Sequence, residues 1–136
     1  MTEATLLPEL IGRAADRTPQ AMALTSAATS MAYADLATAV RQFAGGLRGL
    51  GLARSERVAI YLDKRFETVV ASFGAPAAGG VFVPVNPLLK PEQVAFILQD
   101  CNVRVLVTSP ERLALLPQAL SECPDLRHVV VTGTAT

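Results

Sequence analysis

Ala78-Gly79-Gly80-Val81-Phe82-Val83-Pro84-Val85-Asn86-Pro87 is the stretch whose reading decides the fold. Paired glycines close the segment before them, because glycine enters the left-handed backbone region at no steric cost and so ends helices. The apolar run Val81–Val85 follows at once, short and unbroken, as in a strand covered on both faces of a parallel sheet. Asn86-Pro87 then turns the chain. A helix stop that runs directly into a buried-type strand is the second half of a βαβ unit, so the flanking sequence is expected to repeat the pattern.

It does so on both sides. Upstream, Val58-Ala59-Ile60-Tyr61-Leu62 is a second apolar run bounded by charges, and Arg65–Ala78 between the two is expected to be helical. Phe66, Val69, Val70 and Phe73 would form its inner face, with a kink or early end at Pro76. Downstream, Pro91 suits the first turn of a helix whose inner face is Val94, Ile97 and Leu98. Val103–Val107 is a third strand. Ser109-Pro110-Glu111 opens another helix with an N-cap and a proline, interrupted at Pro117, and Val129–Val131 is a fourth strand. Nearer the N-terminus, Leu6–Asp16 has helical spacing and Ala21–Thr25 with Ser30–Tyr33 reads as a hairpin. Leu36, Val40, Phe43, Leu47 and Leu50 then form one apolar stripe on a helix that Gly51 is placed to end. The prediction is an α/β fold: a mostly parallel sheet of right-handed βαβ units with helices on both faces, in one unit over residues 1–136. Ligands of such sheets sit beyond the carboxyl ends of the strands. The sequence stops a few residues after its last strand, where that region would be completed.

Composition narrows the function. The chain has 136 residues, 51% hydrophobic and 18% charged, with 22 alanines and no tryptophan, so a core of small aliphatic side chains is expected. Twelve basic residues balance twelve acidic ones, which leaves no electrostatic footprint for nucleic acid or an anionic membrane. No apolar run approaches the roughly 20 residues of a membrane span, and the N-terminus lacks the pattern of a secretory signal, so a cytoplasmic protein is expected. Cys101 and Cys123 have no spacing suited to a metal and read as small core residues.

The residues that carry chemistry elsewhere are sparse here. No GxGxxG follows a strand and no GxxxxGK[ST] occurs, which argues against a dinucleotide-binding domain. Gly45, Gly46, Gly49 and Gly51 lie on and after a helix and read as close packing plus a helix stop. The tail Val131-Thr132-Gly133-Thr134-Ala135-Thr136 lacks the second glycine and the lysine of a phosphate loop and reads as a strand exit. His128, the one histidine, opens a strand on the side away from the expected ligand edge. Asp63, Lys64, Arg65 and Glu67 cluster at a strand's carboxyl end, where function concentrates, but alternating charges there suit a solvated first helical turn.

Two stretches resemble shared motifs of the adenylate-forming superfamily. Met31-Ala32-Tyr33-Ala34-Asp35-Leu36 is similar to its first motif, approximately Leu-Thr-Tyr-x-Glu-Leu. Ala78–Pro87 resembles the second, Lys-Ala-Gly-x-x-x-x-Pro-Leu-(Asp/Asn)-Pro, and Leu98-Gln99-Asp100-Cys101 and Leu106-Val107-Thr108 match the "LEDS" and "LVT" ends that follow it. Ala77 stands where the family usually has lysine, and Pro76 interrupts a helix that is usually unbroken. Asn86 in place of aspartate leans toward acyl-CoA ligases, and Val85–Lys90 with Pro91-Glu92-Gln93-Val94 is similar to the exosortase-associated group of them.

The resemblance implies the N-terminal subdomain of an AMP-forming acyl-CoA ligase. Such an enzyme uses ATP and Mg to turn a carboxylic acid into an acyl-adenylate, then passes the acyl group to CoA. It also implies that the phosphate loop and the catalytic lysine lie beyond this chain, so no catalytic residue and no metal ligand is assigned and no bound cofactor is expected. Lys90, just after the Asn-Pro turn, is the one candidate, as a contact to the phosphates of CoA. Two other readings stand beside this one: part of an amino-acid adenylation domain, or a stand-alone flavodoxin-like binding module without catalysis. A subdomain lacking its neighbouring sheet would expose an apolar face and self-associate.

Overall fold

The computed structural model describes residues 7–26 and 29–133. In chain order the elements are α1 (Leu7–Arg17), β1 (Met22–Ser26), β2 (Thr29–Ala32), α2 (Tyr33–Gly49), β3 (Arg57–Tyr61), α3 (Phe66–Ala77), β4 (Val81–Pro84), α4 (Pro91–Asp100), β5 (Val103–Thr108), α5 (Pro110–Leu113), α6 (Pro117–Ser121) and β6 (His128–Val131). β1 and β2 form the expected antiparallel hairpin. The other four strands form one sheet in the order β4-β3-β5-β6, every neighbouring pair parallel. The α/β fold with a parallel sheet is as expected from the sequence.

Alternation along the central strands separates two cores. Val58, Ile60 and Leu62 at β3, with Val105 and Val107 of β5, face Leu47 of α2 and Ala71 and Ala75 of α3. Ala59 and Tyr61 of β3, with Leu106 of β5, face Val94, Ala95 and Leu98 of α4 and Ala119 of α6. The register shifts between Arg57 and Val58, where Val103 and Val105 are the successive β5 partners, and Val103 joins the second core out of alternation. A third cluster, built on Ile11, Leu36, Ala37 and Val40, packs α1 and the hairpin on the far side of α2 and α3.

That outer layer explains three departures from expectation. Val69, Val70 and Phe73 of α3 do turn inward, but toward α1 and α2; the face on the sheet is made by Ala71 and Ala75. Small side chains let α3 sit close between two layers, and Gly74 sits against Phe43 of α2, so near that a Cβ would lie 2.5 Å from the ring. On α2, Leu50 is exposed, and Ala37 and Ala44 are buried in its place. The exposed Gly45, Gly46 and Gly49 meet nothing within 4 Å of a Cβ, so they are not close-packing sites; Gly51, at φ +89°, is the predicted helix stop.

β4 is the other correction. The run Val81–Val85 reads as doubly covered, yet among the described residues β4 pairs only with β3 and is an edge strand, with Val81 48% exposed. Pro84 is compatible with this place, since proline is tolerated where one side of a strand is unpaired. α3 ends at Ala77, one residue after Pro76, and Gly79 follows at φ +88°. Cys123 is buried in the second core and its thiol is pushed up by burial; Cys101 is partly buried against the same core, and both are free.

An ion cluster closes the amino-terminal edge of the sheet. Glu56 Oε1 accepts the Ala53 N–H at 2.8 Å, and Oε2 lies 3.1 Å from Arg104 Nε and 3.7 Å from Arg127 Nη1. The Ala53 N–H first, and then the Arg104 hydrogen bond and the two arginine charges, hold the Glu56 carboxyl below its ordinary range against the opposing effect of burial. A carboxyl lowered on folding stabilises the protein above its unfolded pKa, and that contribution is lost as pH falls through the folded value. Glu56→Gln is therefore expected to cost about 1 kcal/mol at neutral pH. The difference should vanish in acid, once the glutamate is protonated, in paired urea titrations. An offset independent of pH would contradict the assignment.

Candidate functional site

The topology singles out one place on the sheet. From β3 the chain moves outward to β4, then back past β3 to β5, so the direction of winding reverses between β3 and β5. At such a switch point the crevice beyond the carboxyl ends of the strands is where doubly wound folds bind ligands. Here it is a recess of about 360 Å³ lined by Asp63, Arg65, Ser109, Glu111, Arg112 and Leu115.

Each of these side chains arrives from the end of a strand. Asp63 and Arg65 follow β3, and their pairing brings Asp63 Oδ1 to 2.8 Å from Arg65 Nε and 2.6 Å from Arg65 Nη2. Arg65 reaches on to Thr132 Oγ1, past the end of β6, at 3.4 Å. The buried Thr108 closes β5 and donates from its hydroxyl to Tyr61 O at 2.8 Å. Ser109 is buried too and caps α5 as expected, its Oγ accepting the Arg112 N–H at 3.3 Å. Arg112 turns back across the sheet end, donating from Nη1 to Pro87 O at 2.7 Å, its guanidinium carbon 5.2 Å from the centre of the Tyr61 ring.

Asp63 and Arg65 satisfy one another. The hydrogen bond from Arg65, opposed by burial and assisted by the charge of Arg65 and to a lesser degree of Arg112, holds the Asp63 carboxyl below its ordinary range. Glu111 is lowered as well, by its own backbone N–H and then by the Ser109 hydroxyl. Asp63 is matched by Arg65, Arg65 reaches Thr132, and Arg112 is engaged by Pro87 O and the Tyr61 ring, a brace that ties the ends of β3, β4, β5 and β6 together. With both guanidinium groups so engaged, the recess is not a cradle of free donors of the kind that holds phosphate. Among the described residues no three side chains of metal-binding type come together.

The sequence-level candidates disperse. Asp63 and Arg65 reach the recess, while Lys64 and Glu67 do not line it. His128 opens β6 at the opposite edge, as expected. Lys90 is exposed and stands outside the recess at the start of α4, where its N–H donates to Gln93 Oε1 at 2.9 Å. Two residues that sequence reading passed over, Tyr61 and Arg112, do most of the joining. Signals for both exist: a tyrosine inside a buried run needs a partner for its hydroxyl, and the residue three after a serine cap at a strand's carboxyl end sits over that end.

The family of sequences described as AMP-binding enzyme matches residues 11–135. Tyrocidine synthase 3 of Brevibacillus parabrevis is 33% identical over 119 residues, 88% of this chain and 2% of that protein. A long-chain-fatty-acid–CoA ligase of Thermus thermophilus is 34% identical over 99 residues, 73% of this chain and 18% of the ligase. In structure, the anthranilate CoA ligase AuaEII in complex with anthranoyl-AMP superposes with a TM-score of 0.91 at 28% identity, covering 98% of this chain and 26% of that one. The chain thus spans about a quarter or less of each of these proteins.

Proposed function

The chain belongs to the AMP-binding enzyme family, and from that premise we propose that residues 1–136 are the N-terminal α/β subdomain of an acyl-CoA ligase. In the reaction proposed for the whole protein, a carboxylate attacks the α-phosphorus of ATP, giving acyl-adenylate and pyrophosphate. The thiol of CoA then attacks the acyl carbon and AMP leaves. The observation that carries the reading is the superposition, over 98% of the chain, on a CoA ligase bound to an acyl-adenylate. Asn86, before Pro87, supports it.

This chain's own part is structural in that reading. No adenylation step is routed through the recess, where Arg65 is paired with Asp63 and Arg112 is engaged by Pro87 O and the Tyr61 ring. Lys90 is the residue proposed to meet ligand, as a cation for the phosphates of CoA. It is exposed beyond the carboxyl end of β4, on a loop bonded to Tyr61 and Arg112.

The test is made on the whole polypeptide that its gene encodes. Acid-dependent exchange of pyrophosphate into ATP, followed by thioester formation on CoA, is the expected activity. Lys90→Ala is expected to raise the apparent KM for CoA about fivefold, the effect of one lost charge-assisted contact, with little change in the exchange step. An unaltered KM would remove Lys90 from the site. The 33% identity to a tyrocidine synthase favours a second reading, an amino-acid adenylation domain. Exchange driven by amino acids, with no thioester formed on CoA, would select it.

A further inference from the structure

The loop 86–90 is held far more firmly than an exposed connection at a sheet edge requires. Within the loop, Asn86 Oδ1 accepts the Leu88 N–H at 2.9 Å and Asn86 O accepts the Leu89 N–H at 3.1 Å. Two long-range bonds then fix its height over the sheet. The hydroxyl of Tyr61, a side chain 1% exposed at the end of β3, donates to Leu89 O at 2.9 Å. Arg112, from α5, donates to Pro87 O at 2.7 Å while lying over the ring of the same tyrosine. At the last residue of the loop, the Lys90 N–H donates to Gln93 Oε1. The carbonyls on either side of Leu88 are thus bound by two mutually stacked side chains, and Leu88 itself is 88% exposed. Leu89 packs partly against the second core, but the exposed tip at Leu88 gains no core from such fixation. Its effect is to set where the tip and Lys90 stand.

We propose that Tyr61 and Arg112 are positioning residues for the thiol-transfer step, which clamp the loop 86–90 so that Lys90 and the loop tip meet CoA in a preset geometry. The inference rests on the acyl-CoA ligase reading above. Prior fixation of a binding loop improves affinity by removing the cost of ordering it when the ligand arrives. The clamp acts through the loop backbone and does not itself touch the acid or ATP, so it should separate the two half-reactions. Lysine cannot substitute for Arg112, because an ammonium group cannot both lie flat on the ring and reach Pro87 O.

The experiment uses the whole encoded polypeptide with Tyr61→Phe, Arg112→Lys and Arg112→Gln. Phenylalanine keeps the buried ring and removes only the hydroxyl, so that variant is expected to fold. For Tyr61→Phe and Arg112→Lys the apparent KM for CoA should rise about fivefold, and for Arg112→Gln about tenfold. Acid-dependent pyrophosphate exchange should stay within about twofold in all three. Amide hydrogen exchange should quicken at Leu88, Leu89 and Lys90 and remain unchanged in β3 and β5. Parallel loss of both half-reactions would show a merely structural role and overturn the proposal, as would an unchanged KM for CoA or unchanged loop exchange. If the unsubstituted polypeptide shows no acid-dependent exchange, the ligase reading falls and the proposal with it. If exchange is present and KM does not move, the clamp alone fails.

Discussion

Leu106→Ala is expected to lower the stability of the protein by about 3 kcal/mol, within the range for leucines truncated in well-packed cores. Leu106 is fully buried in a central strand, facing α4 and α6, with β3 on one side and β6 on the other. The loss has two parts, the transfer of the removed methyl groups and the cavity left between layers that cannot fully collapse. The cavity part should be large here, since strands on both sides hold β5 in place. Leu88→Ala is the internal control: the same chemistry at a residue 88% exposed should change stability by less than about 0.5 kcal/mol. Urea unfolding of the two variants, read as a shift in midpoint at unchanged slope, makes the comparison. A cost below about 1 kcal/mol at Leu106 would mean that the layers on either side of β5 are looser than described.

Gly74→Val has the second largest expected effect, about 3 kcal/mol from overpacking. A Cβ at Gly74 would lie 2.5 Å from Phe43 Cδ2 and 3.3 Å from two further atoms of that side chain, before any γ-carbon is added. Valine is only slightly better than glycine in a helix, by a few tenths of a kcal/mol, so propensity does not offset the clash. The mechanism predicts its own rescue. Phe43→Ala removes the obstructing ring, and the double variant should be more stable than the sum of the two single costs predicts, by more than about 1 kcal/mol. Additive costs would place the strain elsewhere in α3.

These two sites show what could be read from the sequence and what could not. The strands at Val58–Leu62, Val103–Val107 and Val129–Val131 were legible because apolar runs between turn and helix signals are a local property. Gly51 and Gly79 were legible because a left-handed helix stop is local as well. The edge position of β4 was not, since Val81–Val85 has the same apolar character as the central runs and only strand order distinguishes them. Nor was the face that α3 turns to the sheet: Phe66, Val69, Val70 and Phe73 dominate its pattern, yet a third layer claims three of them and leaves the alanines to the sheet. The recess was half legible. Asp63 and Arg65 lie two apart in sequence at a strand end and pair with each other, but the residues that complete the recess and its bonds come from positions 109–115 and 132. Pairings over such separations exist only once the strands are ordered.

The proline at the edge of the sheet has a consequence for how the molecule meets copies of itself. The N–H groups of Val81 and Val85 both point to β3, donating to Glu56 O and Ile60 O, so alternation turns position 84 outward. Pro84 leaves a gap there in the row of donors that an arriving strand would need. Hydrogen-bonded growth of the sheet past β4 is therefore disfavoured. An arriving strand would find one hydrogen bond of the ladder missing at position 84.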